Sequence, residues 1–490
     1  MPVRPGYRPS LKHAELGDAF YDRVAAASFP KRVLRHRDQG WAARVGLDTL
    51  TEAEWLAHFG GFQPLPGSLP EPLALRYHGH QFRSYNPDLG DGRGFLFAQL
   101  HDLVDGRLLD LGTKGSGQTP WSRFGDGRLT LKGGVREVLA SSMLEALGVY
   151  TSKSFSLVET GEDLVRNDEP SPTRSSVLVR LSHSHIRIGT FQRFAALGQT
   201  DNILLLLDHS IRSYLPSAWR DDVPGRAVAF LEEVGGRVAR LGAEWMTAGF
   251  VHGVLNTDNI NVTGESFDYG PWRFLAEYDP EFTAAYFDHN GLYAYGRQPD
   301  TLLWNLVGLA ECLLPLASKE PLQAVLEGFA PAFRRSLDLG VLRRLGLVSE
   351  GPERDASLAR VWWEFLDASR MPFEQAFFDW YGGRPSAPRA DRGPAAAIYR
   401  APAFEPVRAA LAQFDRAADV RVDHPYFALA QPCTMLIGEV EAVWADIAEA
   451  DDWSAFATKL AAIGQMAEAY GTGADAVRGG GHGAPTPSRW

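Results

Sequence analysis

Cysteine is nearly absent. Two residues, Cys312 and Cys433, stand among 490, and they form neither a disulfide framework nor a Cys-x-x-Cys pair. Such thiol content fits a reducing compartment, and the cytoplasm is the expected location. No run of 18 uninterrupted apolar residues occurs and the N-terminus has no apolar signal core, so neither a membrane span nor secretion is expected. Long basic stretches are missing too. With a net charge of −11, this argues against nucleic acid as the main partner, because phosphate backbones are gripped by clustered Lys and Arg. No internal repeat is evident. What is present, 45% hydrophobic and 22% charged residues, suffices for the cores of two or three domains.

The most informative stretch is His252-Gly253-Val254-Leu255-Asn256-Thr257-Asp258-Asn259, with Asp268 nine residues further on. It is similar to the catalytic loop and metal-binding Asp of protein kinases, with Val254 where those enzymes keep a catalytic Asp. Residues 259 to 262 and 266 to 269 alternate apolar and polar side chains around the turn signal Thr263-Gly264-Glu265, which predicts a two-stranded ribbon. In that ribbon Asn261 faces Asp268, and Asn259 is the diagonal neighbour. An amide oxygen and a carboxylate suit a hard cation that takes its other ligands from phosphate and water. By residue type alone the same segment reads equally as a polar surface turn. Upstream, Val228, Leu231, Val234, Val238, Leu241 and Trp245 form one stripe of a helix over residues 226 to 248 that stops at Gly249.

A loop of this kind calls for a Lys on an upstream strand and a Glu on the next helix. Lys114 follows the strand-like Leu108-Leu109-Asp110-Leu111. Glu137 sits beside the stripe Val135, Val138, Leu139, Met143 and Leu147 of a helix ending at Gly148. Two Gly-Asp-Gly-Arg loops flank Lys114, one at Gly90 to Arg93 and one at Gly125 to Arg128. Alternating glycines let backbone N–H groups approach a phosphate, although neither loop has the Gly-Lys-Ser/Thr of a P-loop or opens a helix as a dinucleotide fingerprint does. Arg180 and Arg187 are, by themselves, ordinary solvated or paired arginines. His183 and His185 alternate on an expected strand with no further ligands at metal-binding spacing. His252 is expected to hydrogen-bond the loop backbone.

In order along the chain, Tyr77-His78-Gly79-His80-Gln81-Phe82, Leu89 to Gly94, Lys114 to Arg123, Gly125 to Arg128, Arg136-Glu137, Ser182 to Gly189 and His252 to Pro271 resemble the selenoprotein O family, also called SelO or YdiU. The likeness runs from about Leu75 to about Pro299 and weakens around His424 to Leu429. It implies an α+β, protein-kinase-like two-lobed fold with a mixed α/β N-lobe, a mainly helical C-lobe and extensions at both ends. It implies a pseudokinase-like enzyme that moves AMP from ATP to Ser, Thr or Tyr hydroxyls of proteins, itself among the candidate acceptors, with UTP as a possible second donor. Carried over by position, Gly90, Gly92, Arg93, Lys114, Asp126, Gly127, Arg180, Arg187 and Asp268 contact the nucleotide, and Glu137 orients Lys114. Asn259 and Asp268 hold Mg²⁺ or Mn²⁺, and Asp258 is the catalytic base. An ordinary phosphotransferase and a silent nucleotide-binding pseudokinase stay open as alternatives. Val254 weighs against the first, and the retained Lys114, Glu137, Asn259 and Asp268 weigh against the second.

The expected organisation is an extension over residues 1–70, an N-lobe over 71–189, a C-lobe over 190–434, helices over 435–478 and a disordered tail over 479–490. Helices are expected at 50–59, 200–215, 226–248, 300–317, 404–416, 435–448 and 453–470, with further helices over 320–380 and a loop at Arg384 to Arg392. Leu302, Leu303, Leu306, Leu309, Leu313 and Leu314 are expected in the core.

Overall fold

The computed structural model describes residues 3–167 and 169–472. Thirteen strands occur among the described residues: β1 Pro9–Ser10, β2 Tyr21–Arg23, β3 Val33–Arg37, β4 Leu73–Leu75, β5 Gly79–Gln81, β6 Ser84–Asn86, β7 Leu96–His101, β8 Leu108–Lys114, β9 Leu129–Thr130, β10 Lys153–Leu164, β11 Thr173–Ser182, β12 Phe250–Val251 and β13 Arg273–Phe274. Nine of them form one antiparallel sheet in the order β2-β4-β7-β8-β11-β10-β3, with β1 on β7 and β9 on β11. The expected tail at 479–490 lies outside the described residues.

The first 70 residues are built into this sheet. They contribute β1, β2 and β3, together with helices α1 Gln39–Arg44 and α2 Glu52–Phe59. Thr51 caps α2 through a capping box with Glu54. Trp55 of α2 is fully buried, stacks on Phe155 at 4.9 Å and donates Nε1–H to Ser156 Oγ at 2.9 Å. Behind the other face runs α3 Leu131–Ala146, whose N-cap Thr130 Oγ1 accepts from Gly133 N at 3.1 Å.

Strand alternation decides which side chains reach the interior of the molecule. On β11, Val177, Val179 and Leu181 belong to the core beneath α1 and α2, whereas Leu178 packs with the core of α3. Arg180 shares the Leu178 face, and the register sets Leu178 opposite Lys114 of β8. Arg180 lies within β11, two residues before its end, which fixes its direction.

The rest of the chain is helical: α4 Ile188–Ala196, α5 Thr200–Tyr214, α6 Val223–Thr247, α7 Gln298–Leu313, and then helices from Lys319–Glu327 through Ser454–Tyr470. Leu231, Val234, Val238, Leu241 and Trp245 of α6 are buried as the stripe requires. Gly249 follows with φ 64°, and Phe373 lies 2.8 Å from where a Cβ would be, so glycine is needed there on both counts. Among the α7 leucines, Leu314 lies past the helix end and is exposed. The segment at Arg384 to Arg392 is a 3₁₀ turn, Arg384–Ser386, followed by a short helix, Ala387–Ala390, and the helix expected at 404–416 is shorter, Glu405–Leu411.

The ribbon expected at 259–269 does not form. Its two arms pair elsewhere: Ile188 N donates to Ile260 O and Val262 N to Ile186 O, while Ser266 N donates to Tyr150 O and Ser152 N to Ser266 O. Backbone groups satisfied by neighbouring segments leave nothing for each other. Asn261 is turned inward and donates to Ser184 O, and the two-stranded ribbon of this region is β12 with β13. His183 and His185 lie beyond the end of β11, in a loop rather than a strand. His185 is held there by the buried Asp110, which accepts its backbone N–H at 2.9 Å.

Behind this loop Glu265 is buried, accepts His183 N–H at 2.8 Å and has its carboxyl raised to about 7 by burial. A raised folded-state pKa means that its contribution to stability is complete below the unfolded value near 4.5 and is lost as pH rises towards 7. Glu265→Gln, which keeps an acceptor, is therefore expected to gain melting temperature relative to the parent at pH 8 but not at pH 4.5. Thermal unfolding at the two pH values checks it.

Candidate active site

Where the sheet meets the helical region, a cleft of about 740 Å³ opens, lined by both Gly-Asp-Gly-Arg loops, the ends of β8 and β11 and the segment 254–268. That volume is in the range of small-molecule sites. At its floor Lys114 Nζ lies 2.5 Å from Glu137 Oε1 and 2.6 Å from Asp268 Oδ1. Glu137 is 1% exposed, so the α3 stripe delivers a carboxylate straight into the interior. Asp268 also receives Arg180 Nη1 at 3.1 Å. Burial works against its charge, but Lys114, Arg180 and Arg187 outweigh burial and hold the carboxyl well below the usual range. The backbone at Asp268 is left-handed, φ 65°, a conformation that Asp tolerates better than most non-glycine residues.

Arg187 is clamped from several sides. Its Nη1 donates to Asp258 O at 3.1 Å, its Nη2 lies 3.4 Å from Asp91 Oδ1, and its guanidinium lies over the rings of Tyr77 at 4.2 Å and Phe267 at 5.0 Å. Arg180 approaches the other flank of Phe267, at 5.6 Å. Nε of each arginine is buried with no hydrogen-bond partner among the described residues.

Asp258 lies in the 3₁₀ turn Thr257–Asn259. Burial raises its carboxyl to about 6 despite Arg187, and Oδ1 is buried without a partner among the described residues. Two glycines let the backbone close around it. A Cβ on Gly189 would stand 2.1 Å from His78 O and 3.5 Å from Asp258 Cα, and one on Gly79 would stand 3.2 Å from Asp258 Oδ1. Thr257 Oγ1 accepts His80 N–H at 2.7 Å and donates to Gln192 Oε1 at 2.6 Å. Asn259 donates Nδ2–H to Val254 O at 3.0 Å. Val254 therefore gives the loop a backbone acceptor and no charge. His252 donates Nε2–H to Phe267 O at 3.0 Å, and burial keeps its imidazole neutral, in line with the backbone role expected from sequence.

The glycine loops form the roof. A Cβ at Gly90 would stand 2.4 Å from the Trp121 ring, and one at Gly127, φ 70°, would stand 2.2 Å from Gly117 C. Gly92 and Gly127 line the cleft, with Arg93 exposed beside it. Asp126 is at the rim and is engaged by Arg166 Nη1 at 2.8 Å. Of the twelve site residues named from sequence, all but Glu137 line this cleft, and Glu137 reaches it through Lys114. Sequence reading passed over Asp91, Tyr77, Phe267 and Asn256. Asp91 lay inside a recognised motif; the aromatics were hidden because ring-to-guanidinium packing leaves no spacing signal.

The match to known proteins agrees with this site. The chain belongs to the family described as protein adenylyltransferase SelO, whose model matches residues 5–463. It is 46% identical over 461 residues to the protein nucleotidyltransferase YdiU of Gloeobacter violaceus, covering 92% of this chain and 93% of that one. The YdiU of Synechococcus elongatus is 51% identical over 346 residues, 70% of this chain and 68% of the relative, and that of Rhodopseudomonas palustris is 42% identical over 375 residues, 74% of each.

The buried pair yields a prediction. Lys114→Met strands Glu137 without its partner and is expected to cost about 3–5 kcal/mol, whereas adding Glu137→Leu to it recovers most of that loss. Urea unfolding of the single and double variants measures both.

Proposed function

We propose that this protein is a metal-dependent nucleotidyltransferase that moves AMP from ATP to Ser, Thr or Tyr hydroxyls of proteins. Asp258 carries the reading: a buried carboxylate whose Oδ1 has no partner among the described residues faces the same cleft as a cluster of Lys114, Arg180 and Arg187. Family membership supports the transferase class. The Lys114–Glu137 pair and the position of Asp268 support a kinase-like two-lobed fold with its usual base replaced by Val254.

In this reading the nucleotide lies with its terminal phosphates towards Lys114, Arg180 and Arg187 and its α-phosphorus towards the acceptor. Asp258 removes the proton of the acceptor hydroxyl, whose oxygen forms a bond to the α-phosphorus as the bond to pyrophosphate breaks. The cationic cluster bears the negative charge that gathers on the leaving group. Gly90, Gly92 and Gly127 let backbone approach the nucleotide, Arg93 and Asp126 contact it from the rim, and Glu137 keeps Lys114 oriented. Asp268 and Asn259 would hold Mg²⁺ or Mn²⁺. The donor set fits: an ionised carboxylate and an amide whose Nδ2 is anchored to Val254 O, leaving Oδ1 as the ligand end. Bound there, a divalent cation neutralises phosphate charge and takes its remaining ligands from phosphate and water.

Incubation with α-³²P-ATP and, in parallel, γ-³²P-ATP, each with Mg²⁺ or Mn²⁺ and with a proteome or the protein itself as acceptor, tests the reaction. Label is expected on protein from the α position only; label from γ makes it a kinase, and ATP binding with neither label makes it a silent module. α-³²P-UTP reports on the second donor. Asp258→Asn is expected to lower transfer by a factor of about 100 or more with the melting temperature little changed, and Asp268→Ala to lower transfer as far while also lowering the melting temperature, because it leaves Lys114 and Arg180 one carboxylate short. Full activity of Asp268→Ala would remove the metal assignment.

A further inference from the structure

A second and larger cavity, about 1150 Å³, lies away from the nucleotide cleft, between α5, α6 and the ends of β8 and β11. Its walls combine two chemistries. Leu109, Val149, Leu181 and Leu205 with the Tyr214 ring give it an apolar lining, and Arg107, Arg212, Arg237, Arg240 and Arg343 bring guanidinium groups to it.

The acids of this cavity are already occupied. Glu244 accepts Tyr150 N–H at 2.8 Å and has Arg343 at 3.5 Å, Glu265 accepts His183 N–H at 2.8 Å, and Glu145 is paired with Lys153 at 3.0 Å. Several arginines are neutralised too, Arg107 by Asp105 and Arg237 by Glu233, each at 2.8 Å. Arg240 is different. It is half-buried on α6 and has no carboxylate within ion-pair distance among the described residues. His209 lines the same cavity, and its Nε2 is buried with no hydrogen-bond partner among those residues. Arg212 lies at the mouth with its guanidinium 4.3 Å from the Trp219 ring. A spare cation and an unsatisfied imidazole in the wall of a cavity with an apolar lining form a pattern that a charged head on an apolar body would complete.

We propose that this cavity is a binding site for a small organic anion, an apolar body bearing one acidic group, with Arg240 as its charge partner and Leu205 as part of its apolar wall. A bare inorganic anion would leave the lining wet, and an amphipathic cation would face Arg240 unfavourably.

The fluorescent probe 1-anilinonaphthalene-8-sulfonate, an aromatic body with one sulfonate, tests this on the full-length protein. A single site of enhanced fluorescence is expected, not displaced by ATP with Mg²⁺, displaced by octanoate and not by octylamine. Arg240→Glu is expected to weaken the probe at least tenfold, the size of one lost charge-assisted contact. Leu205→Asp is expected to weaken it as well, and Leu314→Asp, at an exposed leucine outside the cavity, to leave it unchanged. Melting curves confirm that the variants are folded, and two different wall positions guard against a single variant that does not fold. Displacement by ATP, equal displacement by octylamine, or unchanged binding in both Arg240→Glu and Leu205→Asp would each overturn the proposal.

Discussion

The ammonium of Lys114 holds the molecule's two halves to one point. It comes from the sheet, its first carboxylate comes from a helix behind the sheet, and its second comes from the segment that follows the Thr257–Asn259 turn and is held by residues 150–152 and by Trp245 of α6. Each partner is costly to bury alone and tolerable together. The sheet order, the α3 stripe and the path of residues 265–268 must therefore all be right before any of them is comfortable. Apolar packing is non-directional, whereas an ammonium within 2.6 Å of two carboxylates demands one geometry.

Around that point the electrostatics divide the two cleft aspartates. Asp268 sits among Lys114, Arg180 and Arg187, which hold its carboxyl well below the usual range, while at Asp258, whose backbone carbonyl takes the Arg187 hydrogen bond, burial outweighs the attraction of that guanidinium for the carboxyl. One carboxylate is suited to binding a cation and the other to exchanging a proton. The difference arises from where two neighbouring arginines point, and strand alternation on β11 settles the direction of Arg180.

Much of this was legible in the sequence, and the reason is local. The α3 and α6 stripes, the glycine loops and the His252 to Asn259 segment carry their signals within a few residues, and the side chains they predicted do meet in one cleft. What the sequence did not disclose involves partners distant in the chain. Alternation at 259–269 pointed to a ribbon, yet the arms pair with residues 186–188 and 150–152, which no local pattern announces. The first 70 residues looked like an extension because their strands are two to five residues long, too short for alternation to register. Tyr77, Phe267 and Asp91 all converge on Arg187 from distant parts of the chain.

The glycines beside Asp258 have a consequence for how this site can change. At Gly189 a Cβ would meet main chain, His78 O and Asp258 Cα, and at Gly79 it would meet the side chains of Thr257 and Asp258 themselves, so neither position has room for a side chain. Asp258 is thus positioned by the docking of α4 and the β5–β6 hairpin as whole bodies. A change in where its carboxyl sits has to come from shifts of those elements against the turn at Thr257–Asn259, since a side chain at either glycine could not be absorbed locally.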